Sequence, residues 1–146
     1  MSTEKNKALV RRFLERIFTQ GNPGVVDELV APYIVVHDPS SEAGDVDDEG
    51  VIGSIAWSHN AFLNLRVTIE DQVAEGDKVA TRWTIRGTHW GEMMGTSATG
   101  NRVTFTGTQT DYISGGKIVE SWSNYDTLGM LHQIGAVPAT ERQAGS

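Results

Sequence analysis

The run VTFTGTQTDYI (Val103–Ile113), the turn SGG (Ser114–Gly116), KIVESWSNYD (Lys117–Asp126) and TLGMLHQIGA (Thr127–Ala136) decides how this chain folds. The first run alternates with period two, setting Val103, Phe105, Gly107, Gln109 and Asp111 on one face and Thr104, Thr106, Thr108, Thr110 and Tyr112 on the other. If Val103 and Phe105 face the core, parity carries Gln109 and Asp111 inward as well. A polar side chain pointed inward must find a hydrogen bond or line a cavity, so a pocket is expected behind this strand. The Gly-Gly turn predicts a hairpin, and the last segment predicts a short amphipathic helix ending at Gly135.

Working outward, Leu65, Val67 and Ile69 alternate and run on to Val73, Glu75-Gly76-Asp77 turns the chain, and Val79, Thr81, Trp83 and Ile85 alternate with Arg82, Thr84 and Arg86 opposite. Thr88–Asn101 has no strong period and reads as a loop or bulged strand end able to cover a site, His89 included. Upstream, Leu9, Val10, Phe13, Leu14, Ile17 and Phe18 predict an amphipathic helix capped by Ser2 or Thr3 and stopped by Gly21. Asn22-Pro23 starts a short second helix through Val25, Val26, Leu29 and Val30, which Pro32 is expected to end. Tyr33–His37 is a β run leading into Asp38-Pro39, where the proline holds Asp38 in extended geometry. Glu42–Glu49 reads as a solvated acidic loop without calcium-loop spacing. Val51–Leu63 predicts a third helix with Ile52, Ile55, Ala56, His59, Phe62 and Leu63 on one face, and residues 137–146 predict a loose tail. Helices first and a mostly antiparallel sheet afterwards describe an α+β domain whose curved sheet wraps the helices.

Size and charge narrow the function. The 146 residues fit one domain, 1–146, and 19 acidic against 12 basic residues give a net charge of -7. Such a balance argues against nucleic acid or an anionic membrane as partner. Zero cysteines rule out disulfides and thiol chemistry. No apolar leader is visible at MSTEKNKALVRR, and a cytoplasmic protein is expected. Neither a Gly-rich phosphate loop, a zinc-binding HExxH pattern nor a nucleophile elbow occurs, so no metal or cofactor is expected.

RWTIRGTHWGEMMG (Arg82–Gly95), GNRVTFTG (Gly100–Gly107) and GGKIVESWSNYDTLGMLHQIGA (Gly115–Ala136), in this order of elements, resemble the SnoaL-like polyketide cyclase family. The resemblance implies the cone-shaped α+β fold shared by nuclear transport factor, ketosteroid isomerase, scytalone dehydratase and limonene epoxide hydrolase. It also implies an active-site histidine in the strand before the Gly-Lys turn and an aspartate after the following Trp-like position, acting together in intramolecular aldol closure. Counted from Gly116-Lys117, those positions hold Gln109 and Ser123 here. An amide does not titrate and a serine hydroxyl needs activation, so both are expected to hold a carbonyl or enolate oxygen rather than move its proton.

The stretch VVHDP (Val35–Pro39) resembles the ketosteroid isomerase segment whose aspartate moves a proton next to a carbonyl, and the match falls on Asp38. A carboxylate desolvated at a cavity wall has its pKa raised toward neutrality, as such a base requires. Asp38 is therefore the first candidate for the catalytic base, followed by His37 and Asp111, then Asp126, which can instead cap Thr127–Ile134. Trp57, Trp83, Trp90, Trp122 and Tyr125 are expected to wall a pocket for a flat polycyclic or polyketide-like ligand, with His59, Arg82, His89 and Asn124 as further contacts. The favoured reading is a cofactor-independent cyclase, isomerase or dehydratase working by proton transfer. The alternatives are an epoxide-opening enzyme using Asp111, Asp38 and Arg82, or a non-catalytic binding module. The flat threonine face of Thr104–Tyr112 suggests a homodimer or homotetramer.

Overall fold

The computed structural model describes residues 2–40 and 44–138. Helix α1 (Thr3–Leu14) starts where the Ser2 hydroxyl accepts from the Lys5 amide at 3.2 Å, and it buries Leu9, Val10, Phe13 and Leu14. Its continuation to Gly21 is not α-helical throughout, because Glu15–Thr19 widens into a π-helical turn before Gly21 reverses the chain at φ +62. A short helix α2 (Val25–Leu29) follows. Pro32, expected to end that helix, lies instead inside strand β1 (Val30–His37). An edge strand tolerates the missing amide, and β1 is an edge.

Helix α3 (Asp48–Ala61) begins earlier than its apolar period suggests, since the Asp47 carboxylate accepts from the Gly50 amide. The acidic stretch is thus only partly loop, and Glu42 and Ala43 lie outside the described residues. Phe62 and Leu63 leave the helix and open strand β2 (Phe62–Glu75), so the helical face expected from them is wrong. Val51 and Ile55 are the buried positions while Ile52 and Ala56 are exposed.

Strands β3 (Lys78–His89), β4 (Arg102–Ser114) and β5 (Lys117–Tyr125) complete one sheet of order β1-β5-β4-β3-β2, antiparallel except where β1 runs alongside β5. Gly115 and Gly116 both take positive φ, 60 and 76, as the tight β4–β5 turn demands. Strand β4 alternates without a fault: Val103, Phe105, Gly107, Gln109, Asp111 and Ile113 are buried. Helix α4 (Thr127–Gln133) is pinned to β4 by Gln133, whose side chain accepts from the Thr104 amide and donates to the Thr104 carbonyl, each at 2.8 Å. The inner sheet face, α1, α3 and Met130 of α4 enclose the core. None of the described helices is long and apolar enough to cross a membrane. Of the expected tail, residues 139–146 lie outside the described residues.

Candidate functional site

A cavity of about 400 Å³ opens between the inner sheet face and the helices. Phe13, Ile17 and Phe18 come from the first helical stretch, Val51, Ile55 and Trp57 from α3, and Trp83, Ile85 and Phe105 from the sheet. Most of this lining is apolar; apart from Ser54 and Ser58 of α3, the polar groups gather on the β1–β5–β4 side. There the register sets Gly107 opposite Tyr125, Gln109 opposite Ser123, and Asp111 opposite Ser121. In β1, Val36 pairs with Ser121 and His37 with Trp122, so Asp38, one step further, comes level with Ser123. Asp38, Gln109, Asp111, Ser121, Ser123 and Tyr125 all line the cavity.

Two chains of hydrogen bonds organise these groups. In the first, wholly buried, the Trp83 indole N–H donates to Gln109 Oε1 at 3.2 Å and Gln109 Nε2 donates to Asp111 Oδ2 at 2.9 Å. The amide orientation of Gln109 is thereby fixed, with one N–H still uncommitted. Gly107 makes this possible, because a Cβ there would collide with the Trp83 ring. Burial pushes the Asp111 carboxyl up from 3.8 to about 6. Gln109 opposes that rise, as does nearby Ser121, yet Oδ1 of Asp111 is left without a hydrogen bond among the described residues.

In the second chain, Asp38 Oδ1 accepts from the Ser40 amide at 2.9 Å and from the Ser40 hydroxyl at 2.6 Å, a turn closed by an aspartate onto the residue two places on. Ser40 Oγ also lies 2.8 Å from Tyr125 Oη. Burial, the largest cause, and the Asp38 charge push the Tyr125 phenol up, while hydrogen bonds with Ser40 and Thr127 pull it down.

Of the expected site residues, Asp38, Asp111, Gln109, Ser123, Trp57, Trp83 and Tyr125 meet at the cavity; the others do not line it. His37 points to the outer side, where it stacks on Trp122 at 5.1 Å between ring centroids. Its Nδ1 meets Asp45 at 3.0 Å and its Nε2 meets Glu120 at 2.7 Å. Trp122 and Asn124 are exposed on that outer face, and so is Arg82. Asp126 caps α4 through the Gly129 amide at 2.8 Å. His59 bonds to the Ile17 carbonyl at 2.9 Å and sits against Gly21, where a Cβ would touch its ring. His89 is fully buried at the end of β3, its Nδ1 accepting from the Thr99 amide at 3.3 Å, and no residue of the loop after it lines the cavity. Among the described residues no three carboxylate, histidine or cysteine side chains converge as a metal site needs.

Sequence reasoning missed three polar contributors. Tyr125 was expected only as an aromatic wall, and Ser40 and Ser121 went unnamed. The Asp-Pro-Ser turn signals Ser40, and parity with Ser123 signals Ser121.

Comparison with known proteins agrees with this architecture. A family model described as SnoaL-like polyketide cyclase matches residues 8–134. Among solved structures, AclR, a candidate hydroxylase from Streptomyces galilaeus, is 26% identical over 97% of this chain and 87% of its own, with a TM-score of 0.83. IdmH, a candidate polyketide cyclase from Streptomyces antibioticus, is 31% identical over 89% of this chain and 98% of its own, with a TM-score of 0.79. TsrD from Streptomyces laurentii is 26% identical over 94% of this chain and 99% of its own, with a TM-score of 0.83. A search of curated proteins finds no match.

Proposed function

This chain belongs to the SnoaL-like polyketide cyclase family, and we propose that it is a cofactor-independent enzyme moving a proton on a flat, hydrophobic carbonyl compound of the polyketide type, with Asp38 as the base. One observation carries the reading. Asp38 stands half-buried at the cavity wall with Oδ1 tied to Ser40, which aims the carboxylate, and its other oxygen takes no hydrogen bond among the described residues and can accept a proton.

The chemistry follows from the groups around it. A carbon beside a carbonyl gives its proton to Asp38, and the charge moves to the carbonyl oxygen. That oxygen is met by the Ser123 hydroxyl or the uncommitted N–H of Gln109, which face each other across the β4–β5 register. Fixed donors in an apolar cavity hold developing charge better than water does, because they need no reorganisation. The enolate carbon then attacks a second carbonyl of the same molecule, closing a ring. The epoxide-opening alternative loses its arginine, since Arg82 points away from the cavity.

Exchange of the acidic C–H of β-tetralone in heavy water, followed by proton NMR, tests the base directly. Asp38→Asn is expected to slow the catalysed exchange by about 100- to 10,000-fold, the usual range for a lost general base. Exchange that is undiminished in Asp38→Asn sinks the assignment. Binding of the ketone without exchange in either protein leaves a non-catalytic module.

A further inference from the structure

Ring closure needs an acid as well as a base, because the carbonyl that is attacked becomes an alkoxide. Gln109 cannot supply that proton, because an amide does not titrate, and the Ser123 hydroxyl is no stronger an acid than the alcohol that would form. We infer that Tyr125 is the proton donor of the reaction and that the Ser40 hydroxyl couples it to Asp38. This rests on the proposed role of Asp38 as base.

The geometry is that of a short wire. Ser40 has one hydroxyl proton, and its shorter contact, 2.6 Å, is with the Asp38 carboxylate. The 2.8 Å contact with Tyr125 is therefore best satisfied by the phenol donating to Ser40 Oγ, giving the order Tyr125 O–H to Ser40 O–H to Asp38 Oδ1. Strand parity places Tyr125 on the cavity side of β5, and its ring is held between Phe105 at 5.9 Å and Trp83 at 6.5 Å. The donor is thus fixed in place and reaches both the wire and the cavity.

The proton balance closes without any outside reagent. The substrate C–H bond breaks and its proton goes to Asp38. The new C–C bond forms as the enolate attacks the second carbonyl, whose π electrons become the alkoxide lone pair. Tyr125 protonates the alkoxide, the Ser40 hydroxyl turns and gives its proton to the tyrosinate, and the Asp38 carboxyl, rotated so that its newly protonated oxygen faces Ser40, gives that proton to Ser40. Enzyme and charges return to their starting state, and nothing is oxidised or reduced.

Coupling also times the acid. Burial is the largest cause holding the phenol protonated, and the Asp38 charge adds to it. Once Asp38 has taken the substrate proton that charge is gone, so Tyr125 becomes the stronger acid at the moment an acid is required. Asp38 is the charged group acting on the phenol; Ser40 and Thr127 contribute hydrogen bonds, and the ring's other neighbours, Phe105 and Trp83, carry no charge.

Two probes separate the acid from the base. β-Tetralone exchange requires only the base, whereas closure of a cyclohexanedione carrying an oxobutyl arm requires base and acid together. Tyr125→Phe keeps the ring packing and is expected to retain exchange within a few fold while losing closure by about 100-fold or more. Ser40→Ala is expected to slow closure more than exchange, since it interrupts proton return. Closure at the normal rate in Tyr125→Phe overturns the inference, and so does equal loss of both activities there. Lost exchange in Asp38→Asn together with normal closure in Tyr125→Phe sinks the donor alone, while normal exchange in Asp38→Asn sinks the base.

A titration without substrate tests the wire itself. Followed by tyrosinate absorbance and assigned with Tyr125→Phe, the phenol should ionise at lower pH in Asp38→Asn and at higher pH in Ser40→Ala than in the unaltered protein. An ionisation that neither substitution moves overturns the coupling, whatever the probes do.

Discussion

The cavity has two carboxylates in opposite circumstances. Asp111 is fully buried, locked through Gln109 to Trp83, and pushed by burial to about 6. Asp38 is half-buried and is tied through Ser40 to Tyr125, which also lines the cavity. One carboxylate ends a rigid chain whose effect is to aim an amide; the other ends the hydroxyl chain to which we assign proton transfer. The difference teaches that burial and a shifted pKa do not by themselves mark the reacting group, because a buried carboxylate held by neighbouring side chains can serve by orienting them alone.

The largest test of that division is turnover in the two carboxamide variants. Asp38→Asn should cost triketone closure about 100- to 10,000-fold, as loss of a general base does. Asp111→Asn keeps an oxygen that can accept from Gln109, so closure should stay within about tenfold, an estimate from preserved donor geometry. If the order is reversed, the buried carboxylate is the base and the assignments exchange places.

Next in size is stability. Asp111 binds its proton more tightly folded than unfolded, so from about pH 4 to pH 6 the native state holds the extra proton and stability falls as pH rises. Above that window the loss is complete. The rise from 3.8 to about 6 corresponds to about 3 kcal/mol. Urea unfolding of Asp111→Asn should therefore show a gain approaching that size at neutral pH, vanishing below pH 4. A variant no more stable at pH 7 than at pH 4, relative to the parent, would mean that Asp111 is better solvated than its surroundings suggest.

This second test also bears on how much of the molecule was readable beforehand. Strand β4 was legible to the residue because period-two alternation and a Gly-Gly turn leave one register, and the same parity exposed Gln109 and Asp111 as inward polar groups. Strand β5 misled. Counting by twos from Ile118 turns Trp122 and Asn124 inward, but the register slips between Tyr112 and Ile113, and the inward set becomes Ser121, Ser123 and Tyr125. A bulge adds one residue without a sequence signature strong enough to place it. Helix α3 misled for a different reason, since Phe62 and Leu63 extend its apolar period yet belong to β2. Its expected histidine contact, His59, is spent on the Ile17 carbonyl. The partnership of Asp38 with Tyr125 spans 87 positions of sequence and passes through Ser40, which the Asp-Pro-Ser pattern marks as a turn residue but not as a partner of Tyr125.

Smaller again is the effect of Gly107→Ala. The new Cβ would collide with the Trp83 ring and with the Asn124 carbonyl at 2.8 Å, so the indole must move. Overpacking of this kind costs about 1–3 kcal/mol. Displacing the indole also frees Gln109 Oε1, so the Michaelis constant for the triketone should rise more than kcat falls. Unchanged tryptophan fluorescence and kinetics would mean that the buried chain does not depend on this close approach.

The smallest effect should come from the residue next door to Asp38. His37 is pushed up chiefly by its hydrogen bond to Glu120, with Asp45 adding to it and partial burial opposing. A raised histidine contributes stability that is fully present below its ordinary value of 6.5 and is lost as pH climbs through the folded value. Its ring holds Asp45 beside the Val36–Val46 bridge, at the approach to α3. Amide exchange at Val36 and Val46, corrected for intrinsic rates, should therefore quicken as pH passes above neutrality, and should do so less in His37→Ala. Exposed ion pairs of this kind contribute little to global stability, so the melting temperature should hardly respond. Closure of the triketone should not respond either, because the imidazole lies outside the cavity; a large loss of turnover in His37→Ala would join the outer face to the chemistry and break the division drawn between neighbouring residues.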